Sequence, residues 1–143
     1  MNTAHRIDHH GVSLRLLSRF SPYSATDLDE KKQPIRDSFD ALKNGRGTEV
    51  DFENLDIAFA TSLVRSRDID ALCVITATVA RDALERCWAR YQRLGRFGFD
   101  GPALAAVADG IELHEALLDN STPKQMMDAA RGAPRVVSLP LKT

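Results

Sequence analysis

The stretch that most constrains this chain is Asp70–Gly95, DALCVITATVARDALERCWARYQRLG. Its apolar residues recur at helical spacing and no proline interrupts it, so it reads as one long amphipathic helix over about 69–94. A helix of that length must bury its apolar side along its whole run, and the rest of the chain has to supply the cover. On a wheel of about 100° per residue, Leu72, Thr76, Val79, Ala80, Ala83, Cys87 and Leu94 share one face. Leu84, Trp88 and Tyr91 flank it on one edge, and Arg86, Arg90 and Arg93 on the other. Gly95 is placed to stop the helix, as a residue free to turn left-handed.

The segments on either side carry helix signals of their own. Thr26-Asp27-Leu28-Asp29-Glu30 looks like a helix start, with a capping side chain followed by acids in the first turn. Pro34 either opens that helix or sits as an interruption inside a longer one. Ile35, Phe39 and Leu42 then form one stripe, and Asn44-Gly45-Arg46-Gly47 ends it. Thr48 restarts a helix, with Asp51 three residues on as in a capping box. Phe52, Leu55, Phe59 and Leu63 form its tight apolar face. Val50, Ile57 and Val64 form a second face nearly opposite. A helix apolar on two sides needs two neighbours, which means a central place in the bundle or a contact between subunits.

Arg65-Ser66-Arg67-Asp68 reads as the break before the long helix, with Asp68 or Asp70 as its cap. After it, Arg96–Pro102 is a tight connector with Phe97 and Phe99, and Pro102 suits the first turn of the next helix. That helix, about 102–118, is expected to bury Leu104, Val107, Ile111 and Leu118, with Asp109, Glu112, Glu115 and Asp119 in one polar arc. Thr122-Pro123-Lys124-Gln125 is a further capping box. It opens a last short helix offering Met126, Met127 and Ala130, which Gly132-Ala133-Pro134 ends. No internal repeat and no hairpin pattern intervenes. The expected class is all-α: a bundle of four to five helices organised around the long one. An irregular N-terminal arm (1–22), a helical domain (23–131) and a C-terminal tail (132–143) make up the chain.

The totals exclude several functions. Apolar residues are 43% and charged residues 27% of 143, ordinary for a globular domain with one core. A net charge of −1 supplies no global field towards nucleic acid or acidic membranes. No apolar run approaches the ~20 residues of a membrane span. Val12–Phe20 carries two arginines and no small-residue cleavage site, so no secretory signal is expected and the setting reads as cytoplasmic. Cys73 and Cys87 lie 14 residues apart on the predicted helix. At ~1.5 Å per residue that is roughly 21 Å, far beyond disulfide reach.

The sharpest charge feature is Arg86, Arg90, Arg93 and Arg96. From Arg81 to Arg96 five arginines face Asp82 and Glu85, a local net of +3. Arginines one turn apart can follow a nucleic-acid backbone. They can equally pair with the next helix, because Asp100–Asp119 holds five acids and no lysine or arginine. An antiparallel hairpin with these charges facing across it is the expected arrangement. No helix-turn-helix pattern singles out a recognition helix.

Catalytic and metal chemistry find no foothold. Glu112 and His114 are two residues apart and cannot share a helix face, so the Glu-x-x-His spacing of di-iron bundles is missing. His5, His9 and His10 have only Asp8 beside them. There is no Gly-x-Ser-x-Gly, phosphate loop, dinucleotide fingerprint or Cys-x-x-Cys. No cofactor, metal or enzymatic activity is expected. Phe97 and Phe99 are expected to plug the end of the bundle, the alternative being an exposed aromatic patch for a partner.

Three segments, Gly45-Arg46-Gly47-Thr48-Glu49, Gly95–Gly101 (GRFGFDG) and Ile111–Leu118 (IELHEALL), together carry a resemblance. The chain resembles a group of small uncharacterised proteins of proteobacterial phages, prophages and other mobile elements, over roughly 34–131. Phe97 stands where that group more often has tryptophan. The resemblance implies a bacterial cytoplasmic setting and a mobile-element gene, and brings no catalytic residue or cofactor. The function expected from all of this is a small protein-interaction module, self-associating as a homodimer through Val50, Ile57, Val64 and Trp88. Nucleic-acid binding by Arg86, Arg90, Arg93 and Arg96 is the alternative.

Overall fold

A computed structural model describes residues 23–137. The three N-terminal histidines, and with them the whole of the expected arm (1–22), lie outside the described residues. Five α-helices follow one another: α1 (Ala25–Lys43), α2 (Glu49–Ser66), α3 (Ala71–Leu94), α4 (Gly101–Asp119) and α5 (Pro123–Ala130). No strand occurs among the described residues, and the protein is an all-α bundle.

Local chemistry sets each boundary. Ser24, one turn ahead of the acids that mark the helix start, caps α1 by accepting from the Asp27 amide at 3.1 Å. The helix runs through Pro34 without ending, so proline is internal to a longer helix. At α2, Thr48 and Asp51 form the expected capping box. That helix continues through Arg65 and Ser66, both buried, and the break falls after them, at 67–70. Asp70 caps α3 through the Cys73 amide at 2.9 Å, and Gly95 ends it in the left-handed region at φ 77°. Asp100 caps α4 ahead of Pro102, and Thr122 with Gln125 forms the capping box of α5.

α3 packs along α4 and α2, while α2 touches all four other helices. The two apolar faces of α2 explain only part of this place. Phe52, Leu55, Phe59 and Leu63 are buried as expected. Its other contacts bury small and polar residues, including Asp56, Ala60, Ser62 and Ser66. Val50 and Ile57 of the second face stay exposed, at 65% and 42%, and Val64 is half-buried.

The long helix is rotated from the expected seam. Ala80, Ala83 and Cys87 are buried, together with Cys73, Ala77 and Leu84. Leu72, Val79 and Leu94 instead lie 59%, 48% and 46% exposed, and Ile75 57%. The reason is the crossing with α4. A side-chain carbon added at Gly110 would stand 2.5 Å from the Ala80 Cβ and 2.9 Å from the Phe59 ring. Only small residues permit so close an approach, so α3 turns its alanines inward and its large side chains outward. Corrections of the same kind apply downstream. Leu104 is 36% exposed beside buried Val107, Ile111 and Leu118, and on α5 Met127 and Ala130 are exposed while Ala129 joins Met126 inside.

Candidate functional site

At about 100° per residue, Leu72, Ile75, Val79, Arg86, Arg90 and Arg93 fall within roughly 60° of one another on α3. One outer line of the helix is therefore apolar in its first half and cationic in its second. Leu72, Ile75 and Val79 are exposed, as are Arg86 and Arg93, and Arg90 is half-buried. Ile75, Thr76 and Val79 form one wall of a shallow groove of about 160 Å³ whose other wall is Ala106 and Asp109 of α4. Arg96, just past the glycine cap, is exposed as well.

The expected pairing of this stripe with the acids of α4 does not occur. Arg36 of α1 grips Glu115 with two hydrogen bonds, at 2.6 and 2.8 Å, and Lys32 holds Asp119 at 2.7 Å. The Glu115 bond raises the Arg36 pKa above its ordinary value. Those two acids point to α1 because α4 lies against α1 as well as α3. Asp109 and Glu112 are exposed. Among the described residues, no ion pair or side-chain hydrogen bond engages Arg86, Arg90, Arg93 or Arg96.

Trp88 and Tyr91, on the other edge of α3, enter an aromatic stack. The Trp88 ring lies 5.2 Å from Phe52 and 5.3 Å from Tyr91, and Phe97 stacks on Tyr91 at 4.0 Å. Phe97 is buried and Phe99 packs near Phe39 at 6.2 Å, so the connector rings plug the end of the bundle as expected. Tyr91 donates to Glu49 at 2.6 Å, a bond that raises the phenol pKa. Val50 and Trp88 come together on one surface, at the mouth of a cleft of about 460 Å³ that also takes in Glu49, Phe52, Glu53, Asp56, Arg135 and Val137.

The wall of that cleft involves a residue the sequence did not single out. Asp56 is 1% exposed, and its carboxylate accepts the amides of Val136 and Val137 at 2.7 and 3.0 Å. Arg135 bonds Glu53 at 2.9 Å, and Arg81 donates to the carbonyls of Pro134 and Arg135. The segment after α5 is thereby tied across α2 and α3. The available signal for Asp56 was its place: it lies one turn after Phe52, on the face that Phe52, Phe59 and Leu63 form, where an acid needs partners.

His114, Cys73 and Cys87 are buried in the bundle. His114 is 8% exposed, and its Nδ1 stands 3.1 Å from the Ser62 hydroxyl; burial lowers its pKa to about 4, so the ring is neutral at pH 7. Cys73 and Cys87 are buried and not disulfide-bonded. Burial first, and then the hydrogen bond with Asp70, pushes the Cys73 thiol up to about 12, which removes it as a nucleophile. No cluster of three potential metal ligands exists among the described residues, nor a helix long and apolar enough to cross a membrane. No protein-family model, curated protein or solved structure matches the chain.

Proposed function

We propose that this chain is a small helical interaction module that self-associates, with the outer face of α3 at the centre of the contact. One observation carries the reading. Leu72, Ile75 and Val79 stand 48–59% exposed at one-turn spacing on the longest helix. Single exposed leucines are common on protein surfaces, but a contiguous apolar line beside a groove marks an interaction site. The face first expected to associate, Val50, Ile57, Val64 and Trp88, is the lesser candidate, because Val64 is half-buried and Trp88 spends its ring on the internal stack. The resemblance carried by the three segments supports a bacterial cytoplasmic, mobile-element accessory setting, and we read the module as non-enzymatic.

Light scattering behind a sizing column tests the reading. We expect a dimer at tens of micromolar, and a monomer from Ile75→Asp with unchanged circular dichroism. A strict monomer of the natural sequence at that concentration sinks it.

A second reading is supported by the unpaired state of Arg86, Arg90, Arg93 and Arg96. Three cations on one line of α3, with a fourth just past its glycine cap and none with a carboxylate partner among the described residues, can contact neighbouring phosphates, with affinity falling steeply as salt rises. Gel shifts at low salt test it: no retardation of single- or double-stranded DNA or RNA at 50 µM protein removes this reading.

A further inference from the structure

The cleft beside Trp88 is entered by the last of the described residues. Arg81 on α3 binds the carbonyls of Pro134 and Arg135, and Asp56 on α2 takes the amides of Val136 and Val137. The chain is thereby held across the two helices through its main chain. Val137 then forms part of the cleft wall, together with Glu49, Val50, Phe52 and Trp88. Covalent continuity places the Cα of residue 138 about 3.8 Å from that of Val137, so the chain goes on from inside the wall. Glu49 lies two turns ahead of Asp56 on α2, roughly 10 Å away at ~1.5 Å per residue. An extended chain covers that length in about three residues.

The lining fits a particular chemistry. Val50 is exposed and Trp88 half-buried, so the cleft offers open apolar surface. Among the lining residues Arg135 is the one cation, against the carboxylates of Glu49, Glu53 and Asp56. An extended apolar segment that brings a further cation complements this surface. The sequence continues as Ser138-Leu139-Pro140-Leu141-Lys142-Thr143. In an extended chain Leu139 and Leu141 fall on the side of Val137. Proline at 140 favours extended backbone at Leu139, and it has no amide left to satisfy.

We propose that this cleft is the seat of the chain's own residues 138–143, with Leu139 and Leu141 against Val50 and Trp88 and Lys142 beside Glu49. The contact completes a belt across α2 and α3. It is autoinhibitory, because it withholds Val50 and Trp88 from any partner. The proposal goes beyond self-association through the outer line of α3, concerns the other edge of that helix, and does not depend on it.

Trp88 is the chain's single tryptophan, so its fluorescence reads the cleft. The full chain is compared with a chain ending at Val137 and with Leu139→Asp, each shown by circular dichroism to keep its helices. Both changes should move Trp88 emission to longer wavelength and make it more readily quenched by acrylamide. If the shortened chain fails to fold, Leu139→Asp carries the test. Emission and quenching identical to those of the full chain overturn the proposal. Protection of Trp88 that is present only at high protein concentration assigns the cleft to a second copy and overturns the intramolecular contact. A full chain that stays monomeric while Trp88 is protected by residues 138–143 upholds this proposal and removes self-association, so the two readings fail separately.

Discussion

The two sides of α3 bury and expose the opposite of what side-chain size suggests. Its inner side is Cys73, Ala77, Ala80, Ala83, Leu84 and Cys87, all buried, and only one of these is large. Its outer side displays Leu72, Ile75 and Val79 to solvent. The difference shows what governs the orientation of a helix in a tight bundle. Burial of area favours turning leucine and isoleucine inward, at about 25 cal/mol per Å². Close approach of two helices favours turning alanine inward, because dense packing recovers many dispersion contacts along the crossing. At the α3–α4 crossing, where Gly110 meets Ala80 and Phe59, the second effect determines the orientation. The large side chains left outside are then available to a partner.

The sharpest way to break this contrast is to make one substitution on both sides. Leu84 is completely buried. Leu84→Ala removes a core side chain where neighbours on α2 and α4 can collapse only partly, and should cost about 2–5 kcal/mol. Urea unfolding with an unchanged m-value measures it. A loss under about 1 kcal/mol would mean that the inner side is not the load of the fold.

A second prediction concerns the polar contact between the neighbours of α3. His114 on α4 faces Ser62 on α2, buried and neutral, with its pKa lowered from 6.5 to about 4. The unfolded chain takes up a proton near pH 6.5 and the folded one does not until about 4. Between those values the unfolded state binds more protons, so stability falls as pH falls and is fully present only above 6.5. The loss should reach about 3 kcal/mol across the window, at 1.36 kcal/mol per unit. Urea midpoints from pH 7 to 5 check this, and His114→Gln should flatten that part of the profile. An unchanged slope in the variant would assign the loss to other groups.

Next in size is Gly110→Ala. The added methyl group gains helix propensity of up to about 1 kcal/mol, but it must push Ala80 and the Phe59 ring aside. Overpacking of this kind costs about 1–3 kcal/mol, so a net loss is expected. Ala80→Gly in the same chain should restore part of it, since the two side chains contend for one space. Failure of that rescue would show that the crossing is looser than the contact distances state.

Much of this architecture was legible in the chain. Caps at Thr48 and Thr122, the stop at Gly95 and Pro102 in the first turn of α4 are local chemistry, and local chemistry places helix ends well. The apolar face of α2 was legible too, because four large residues agree on one direction. Two things were not. The rotation of α3 depends on how near α4 comes, which is set by Gly110, a residue without a side chain to count. The fate of the arginine stripe depends on which helix reaches the acids of α4 first. Arg36 and Lys32 lie more than seventy residues away along the chain, and only the three-dimensional packing brings them to Glu115 and Asp119. The candidate site followed from both: once α1 takes those acids and α3 turns, the outer line of α3 is apolar and cationic without cover. Asp56 lay hidden for the same reason, since its partners are amides at 136 and 137.

The smallest expected effect is the other half of the first comparison. Leu72→Ala alters a side chain of the same type as Leu84, on the same helix, but 59% exposed. Exposed positions away from caps and cores usually shift stability by no more than about 0.5 kcal/mol. The measurement is made at low protein concentration, where only the monomer's own contacts count. If the proposed dimer forms, the same substitution should cost more at high concentration, because association stabilises the folded chain by mass action and the variant weakens that coupling. A cost near zero when dilute that grows with concentration would separate a binding face from a structural one. A cost of about 2 kcal/mol when dilute would show that Leu72 is covered within the single chain, and the contrast between the two sides of α3 would collapse.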